Sequence, residues 1–413
     1  MMVITTQIKN CCSNCSQINS ESKPEMNNDS AVMHSFLKLP ALYVIGFSVL
    51  YLRSVLSITT LVELPDALDK SLLLIASAFL LLHCVSKLDL YSKHIALIVL
   101  SVSIGFISYL VSGETASFVV ILAVLSTASI TDIDCVVRYW LFLSVALMLF
   151  LITMFAIQMV CDPQGIKYFS RLSDSGLILK KRWSFYFSHP NMFGAMVLMS
   201  CSAFVYLYQN RIGFIHYFLI LLIALFVFAL SDSKTSSILI CLLVVLSVIQ
   251  RLFRLFDTAQ ARILVGLLPL GAFLIVYLVS GPLYTSSLGG LLTGRISLWH
   301  ACYVNQGLSL FGNKFIESTS IGVNGWTYYY TTLDCAYASG LFVLGIAFSL
   351  WFVWAVWKCA RWRGYDSGRV LPALIIMLVL GFSEVHIFTF AICYVNLFLG
   401  RPLFEFPERT CIG

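Results

Sequence analysis

Charge is what this chain has least of. Only 11% of its 413 residues are Asp, Glu, Lys or Arg, against about a quarter in a soluble domain, so a solvated globular enzyme of this length is excluded. Walker loops and nucleophile elbows are also missing, and with them any nucleotide-binding or hydrolase domain. Thirteen cysteines are present, yet Cys11, Cys12 and Cys15 form the one cluster, and a zinc site needs a second ligand pair at matching spacing. Most other cysteines, such as Cys201, Cys241 and Cys393, lie in apolar runs as small hydrophobes. No metal ligand set follows. Alternating-strand patterns are absent, which excludes an outer-membrane barrel. The net charge of +6 is scattered among short loops, so nucleic acid is excluded as a partner. Residues 1–35 lack an apolar h-region and read as a polar, disordered tail rather than a signal peptide.

What the chain does have is hydrophobic length. It is 59% hydrophobic, with a mean hydropathy of +0.90. Apolar runs of roughly 17 to 25 residues recur from about Leu39 to about Gly400, each able to span a hydrocarbon core of about 30 Å. Backbone polar groups in lipid must pair internally, so these runs are expected to be helices. The fold class is therefore all-α, a polytopic membrane bundle of about twelve transmembrane helices over residues 36–403, with a short tail at 404–413. The spans centre near Ile45, Ala78, Val102, Ala123, Ala146, Val197, Leu222, Leu243, Ala272, Phe342, Ile376 and Tyr394. The last two share one stretch, which puts Glu384 at a tight turn.

Loop charges assign the sides. Lys87 with Lys93, then Arg211, then Arg251, Arg254 and Arg262, then Lys358, Arg361, Arg363 and Arg369 fall in alternate loops. With both termini cytoplasmic, all of these lie inside together with Arg401 and Arg409, as the positive-inside rule requires. The opposite loops carry Glu63, Asp66, Asp69 and Glu114, and the loop with Asp132 and Asp134 fits this parity least well. Two long segments, 161–189 and 281–332, then face outward, and loops of that length are uncommon unless functional.

The first of these breaks the charge rule, with Lys167, Arg171, Lys180, Lys181 and Arg182. Cations beside a helix mouth suit an anionic substrate: Arg182 offers a planar fork to phosphate oxygens, and Lys180 and Lys181 offer point charges. Snorkelling to lipid headgroups is the plainer alternative. His189 can serve as a general base, as a donor to a leaving group, or simply as a helix cap. Pro190 suits the first helical position, which sets Asn191 in the first turn. The turn Ser231–Ser236 either caps two helices, with Asp232 satisfying Lys234, or aims Lys234 at the same anion. From Arg295 to Gln306, the spacing of Ile296, Trp299 and Tyr303 predicts a short interface helix, and no carboxylate close in sequence neutralises Arg295. Asp334 opens the next span, as an acid favoured by the helix dipole or as a second candidate base, with Tyr337 about one turn on. Glu384, His386 and Arg53 are ionisable groups in apolar surroundings, where such residues face the interior or a cavity. Trp326, Tyr328, Tyr329 and Tyr330 read as an interfacial aromatic belt.

Together these residues resemble the Wzy-type polysaccharide polymerases, relatives of the WaaL-type O-antigen ligases. The likeness runs from Lys180 to Asn396: the basic pair before an aromatic, His189-Pro190-Asn191, the Ser231–Ser236 turn, Gly294-Arg295 with Leu298-Trp299, Asp334 with Tyr337, and Glu384. The resemblance implies a metal-independent, inverting glycosyl transfer with no cofactor, at the outer face of a bacterial inner membrane. The donor would be a glycan on undecaprenyl pyrophosphate, and the acceptor a second lipid-linked repeat unit. A flippase and a chain-length regulator would be its partners. Arg182 and Arg295, aided by Lys181 and Lys234, would hold the pyrophosphate, and His189 or Asp334 would take the acceptor's proton. The ligases typically show a histidine where this chain has Asp334, which tilts the likeness toward polymerase. A ligase, or a lipid-glycan flippase or transporter, are the alternative readings. The internal repeats common in transporters are not visible.

Overall fold

A bilayer core offers no water to a free N–H or C=O, and the chain meets that constraint mainly with helices. The computed structural model describes residues 39–87, 92–162, 169–172, 179–285, 287, 295–315, 318–321, 327–330 and 333–404. The N-terminal tail with its three cysteines, Lys167, Gly294, Trp326 and Arg409 lie outside the described residues, as do the side chains of Arg171, Lys180 and Tyr328–Tyr330. All described residues belong to the unit Leu39–Gly413.

In order the elements are α1 (Ala41–Ile58), α2 (Asp66–Lys87), α3 (Ser92–Ser112), α4 (Ala116–Ser126), α5 (Ile133–Cys161), β1 (Phe169–Leu172) and β2 (Leu179–Arg182). Then come α6 (Pro190–Tyr208), α7 (Phe214–Ser231), α8 (Lys234–Phe253), α9 (Ala259–Ser280), α10 (Arg295–Asn305), β3 (Ser318–Ile321), β4 (Thr327–Tyr330), α11 (Ile346–Arg361), α12 (Ser367–Leu380) and α13 (Gly400–Phe404). Eight of the described helices, α1 to α3 and α5 to α9, are long and apolar enough to cross a membrane. The body is thus a helical membrane bundle. Both long loops add a small antiparallel hairpin, β1 with β2 and β3 with β4, which the all-α expectation did not include.

Three stretches differ in form from simple spans. Around Ala123 stands α4, 11 residues long and buried along nearly all its length. At 1.5 Å per residue it reaches only about 16 Å. Around Phe342 a short helical turn runs into the π-helix Ser339–Leu344, which breaks at Gly345 (φ +94°) before α11 begins. Beyond α12 the chain continues as the buried 3-10 turns Val385–Phe388 and Tyr394–Leu399.

Buried irregular backbone survives only when protein satisfies it, and the break at Gly345 is satisfied by the segment 309–313. Asn313 donates its backbone N–H to Val343 O at 3.1 Å and its Nδ2 to Phe342 O at 3.1 Å. In return Ile346 and Ala347 donate their N–H groups to Ser309 O and Leu310 O at 3.0 and 2.9 Å. Ser108 Oγ donates to Leu344 O at 2.7 Å. The backbones meet so closely that a Cβ on Gly312 would come within 1.9 Å of Val343 O.

Hydrogen bonds sort the loops into two ends. At one, Arg401 Nη1 donates to Thr131 O at 2.8 Å, Arg262 Nη2 to Ser367 Oγ at 3.0 Å, and Arg369 pairs with Asp134 at 2.9 Å. Asp134 fits the loop parity poorly by charge because its neutralising partner is 235 residues away. At the other end Thr60 N–H donates to Tyr186 O at 2.8 Å, Trp183 N–H to Leu230 O at 3.0 Å, and Arg53 pairs with Asp69 at 2.7 Å.

Candidate functional site

The site begins where β2 hands over to α6. Phe185 and Tyr186 take left-handed backbone (φ 49° and 64°), turning the chain so that Phe187 N–H returns to Ser184 O at 2.9 Å. Ser188 N–H then donates to Ile58 O at 2.9 Å, stitching the approach to the end of α1. Phe185 and Phe193 pack their rings 4.5 Å apart beneath this turn. His189 is thereby fixed at the N-cap of α6, where Nδ1 accepts the Asn191 N–H at 3.2 Å. Pro190 follows at the first helical position, whose missing N–H costs nothing. With Nδ1 accepting, the neutral ring carries its proton on Nε2, so His189 presents a donor rather than a base. Its pKa is lowered to about 4 by burial, then by Arg182 and Arg295, and the ring stays neutral at pH 7.

A relay of polar groups crosses the mouth of the bundle. Arg182 donates from Nε to Ser231 O at 3.0 Å and from Nη2 to Asn191 Oδ1 at 2.8 Å. Asn191 Nδ2 donates to Glu384 Oε1 at 2.8 Å. His386 Nε2 stands 3.5 Å from Glu384 Oε2. Burial, then the neighbouring charge of Asp334, pushes the Glu384 carboxyl up to about 8, against the pull of Arg295, Asn191 and Arg182. Arg295, at the start of α10, pairs with Asp334 at 3.5 Å, and the Asp334 side chain is 52% exposed. Partial burial raises the Asp334 carboxyl above its ordinary value, against the pull of Arg295 beside it. Arg295 therefore does have a carboxylate partner, 39 positions along the chain and invisible to a local reading.

Six residues singled out in the sequence thus gather here: Arg182, His189, Asn191, Arg295, Asp334 and Glu384. Others fall elsewhere. Tyr337 is buried, with its hydroxyl donated to Leu378 O at 2.6 Å and its ring against Phe273 and Phe382, so it packs the core instead of lining the mouth. Lys234 is exposed in the first turn of α8, makes no ion pair with Asp232 and joins no hydrogen bond of the relay. Lys181 is exposed on β2. Arg53 is consumed by Asp69 and Thr115. The group the sequence did not pick out is the Ser231 carbonyl, because a carbonyl carries no side-chain signal. His386 and Glu384, read from the sequence as ionisable groups in apolar surroundings, are both buried and adjacent. Among the described residues no three His, Cys, Asp or Glu side chains are grouped to hold a metal ion. No protein-family model, curated protein or solved structure matches the chain.

Proposed function

We propose that this protein is a membrane glycosyltransferase that polymerises lipid-pyrophosphate-linked oligosaccharide repeats into a surface polysaccharide. The observation that carries the reading is the convergence of two arginines, a neutral histidine and two carboxyls of raised pKa at one end of an otherwise apolar bundle. Arg182 and Arg295 suit a pyrophosphate, because a guanidinium fork matches phosphate oxygens. The His189 Nε2–H would donate a hydrogen bond to the leaving pyrophosphate, offsetting its developing charge.

Asp334 is the better base. It is reachable from solvent where Glu384 is buried, and His189 already spends its lone pair on Asn191. An acceptor sugar hydroxyl would attack the anomeric carbon from the face opposite the pyrophosphate and give its proton to Asp334. The bond from that carbon to the phosphate oxygen breaks, the lipid pyrophosphate leaves, and the configuration inverts. Glu384 and Asn191 act as positioning residues that hold Arg182.

The test is the purified protein supplied only with lipid-linked repeat units, its products resolved on a gel. A ladder is expected from the wild type and none from Arg182→Ala or Arg295→Ala. Asp334→Asn should slow the reaction by about 10² to 10⁴, the usual worth of a general base. Normal ladders from both arginine variants would end the proposal. A wild type that elongates nothing, yet transfers finished glycan to a second acceptor, would make it a ligase.

A further inference from the structure

At the opposite end of the bundle a cavity of about 160 Å³ is lined by Arg138, Leu207, Tyr208, Gln209, Asn210, Arg211 and Arg369. It holds three arginines and no carboxylate. Arg369 is already tied, to Asp134 at 2.9 Å and to Tyr206 O at 2.8 Å. Arg138 and Arg211 make no ion pair with any described residue, so the cavity keeps about two uncompensated positive charges. Gln209 is nine-tenths buried in its wall, with a side-chain amide that no described residue bonds. A second cavity of about 300 Å³ is also lined by Gln209 and Asn210, but there Asp257 and Asp366 balance Arg251 and Arg254. Only the first is built for an anion.

The apolar surface beside it narrows the anion's identity. Arg138 lies about one and a half turns into α5, at headgroup depth for a helix that spans a bilayer. Residues three and four apart share a helix face, and the face continuing from Arg138 is Phe142, Val145 and Leu149, all exposed. A ligand with its anionic head among the arginines would therefore lay its tail along this stripe. Basic pockets between membrane helices suit acidic lipid headgroups.

We infer that this cavity is a binding site for the phosphate headgroup of an anionic phospholipid, with the acyl chain lying along the exposed face of α5. The inference does not depend on the glycosyltransferase reading, since it uses none of the residues at the other end.

Native mass spectrometry of the detergent-purified chain tests it, with phosphatidylglycerol, phosphatidylcholine and tail-free glycerol phosphate as probes. The wild type is expected to retain phosphatidylglycerol in preference to phosphatidylcholine. Arg138→Gln and Arg211→Gln should each weaken that binding about five-fold, and together abolish the preference. Arg361→Gln, an exposed arginine at the same end but outside the cavity, should leave it unchanged. A wild type without preference, or single and double variants that keep it, would overturn the site. Glycerol phosphate binding as tightly as the lipid would overturn the phospholipid in favour of a free phosphate.

Discussion

The side chain of Asn191 turns an acceptor toward Arg182 and a donor toward Glu384, and only a primary amide of this length offers both at once. Asn191→Leu strands both partners. Leaving the buried Glu384 without its hydrogen bond costs about 1–3 kcal/mol, so the variant should melt several degrees lower while losing far more activity, because Arg182 is no longer held over the mouth. Asn191→Leu with unchanged chain growth would show that the relay is structural only. Glu384 gives the site a pH signature of its own. An ordinary glutamate titrates near about 4.3, whereas here the carboxyl is pushed up to about 8, so folding favours the protonated form. That contribution is complete below the unfolded value and is lost as pH rises through about 8. Melting temperature in detergent should fall between pH 5 and 9 in the wild type, and Glu384→Gln, which cannot ionise, should remove that part of the fall. Identical slopes in the two proteins would mean that Glu384 ionises freely.

Gly345 and Gly312 are where one element depends on another. Both take positive φ, and a Cβ on Gly345 would come within 2.3 Å of Gly312 N. Gly345→Ala therefore meets a left-handed backbone and a backbone collision together. The strain alone costs about 1–3 kcal/mol, and the collision must separate segment 309–313 from the head of α11. Thermal melting should show a loss larger than that of Gly271→Ala in α9, where an added Cβ meets nothing within 4 Å. This junction also shows where the sequence stops being informative. The long helices are legible because each is a local run of apolar residues, and so is the start of α6, where His189-Pro190-Asn191 supply a cap and its first turn within three residues. The shortness of α4, the break at Gly345 and the pairing of Arg295 with Asp334 are not legible, because each is decided by atoms tens to hundreds of positions away. Glu384 and Asn191 are 193 residues apart, and nothing local to either names the other. The basic residues of 179–182 are visible in the sequence, but that they form one arm of a hairpin pointing Arg182 at α6 depends on the facing strand.

One helix connects the two ends and so lets the orientation of the whole molecule be tested. At 29 residues α5 is about 44 Å long at 1.5 Å per residue, with Asp134 beside Arg369 at its start and Cys161 at its finish. The finish belongs to the end that carries the relay: Tyr186 donates its hydroxyl to Gln158, and the Phe155 ring lies 5.4 Å from Trp183, the residue after Arg182. Cys161 is a free, exposed thiol. The exposed thiol of Cys241 instead lies two turns into α8 among lipid-facing residues, and the other described cysteines are buried. Cys161 is thus a natural reporter for the side on which the relay opens. A substrate delivered on the outer leaflet requires that side to be the extracytoplasmic one. A membrane-impermeant maleimide added to intact spheroplasts should therefore label the wild type, and Cys161→Ser should abolish the label without altering growth of the glycan ladder. If Cys161 reacts only after the membrane is permeabilised, then Arg182, His189 and Arg295 face the cell interior with it. The lipid-pyrophosphate reading would then fail at the level of topology, whatever the individual variants do.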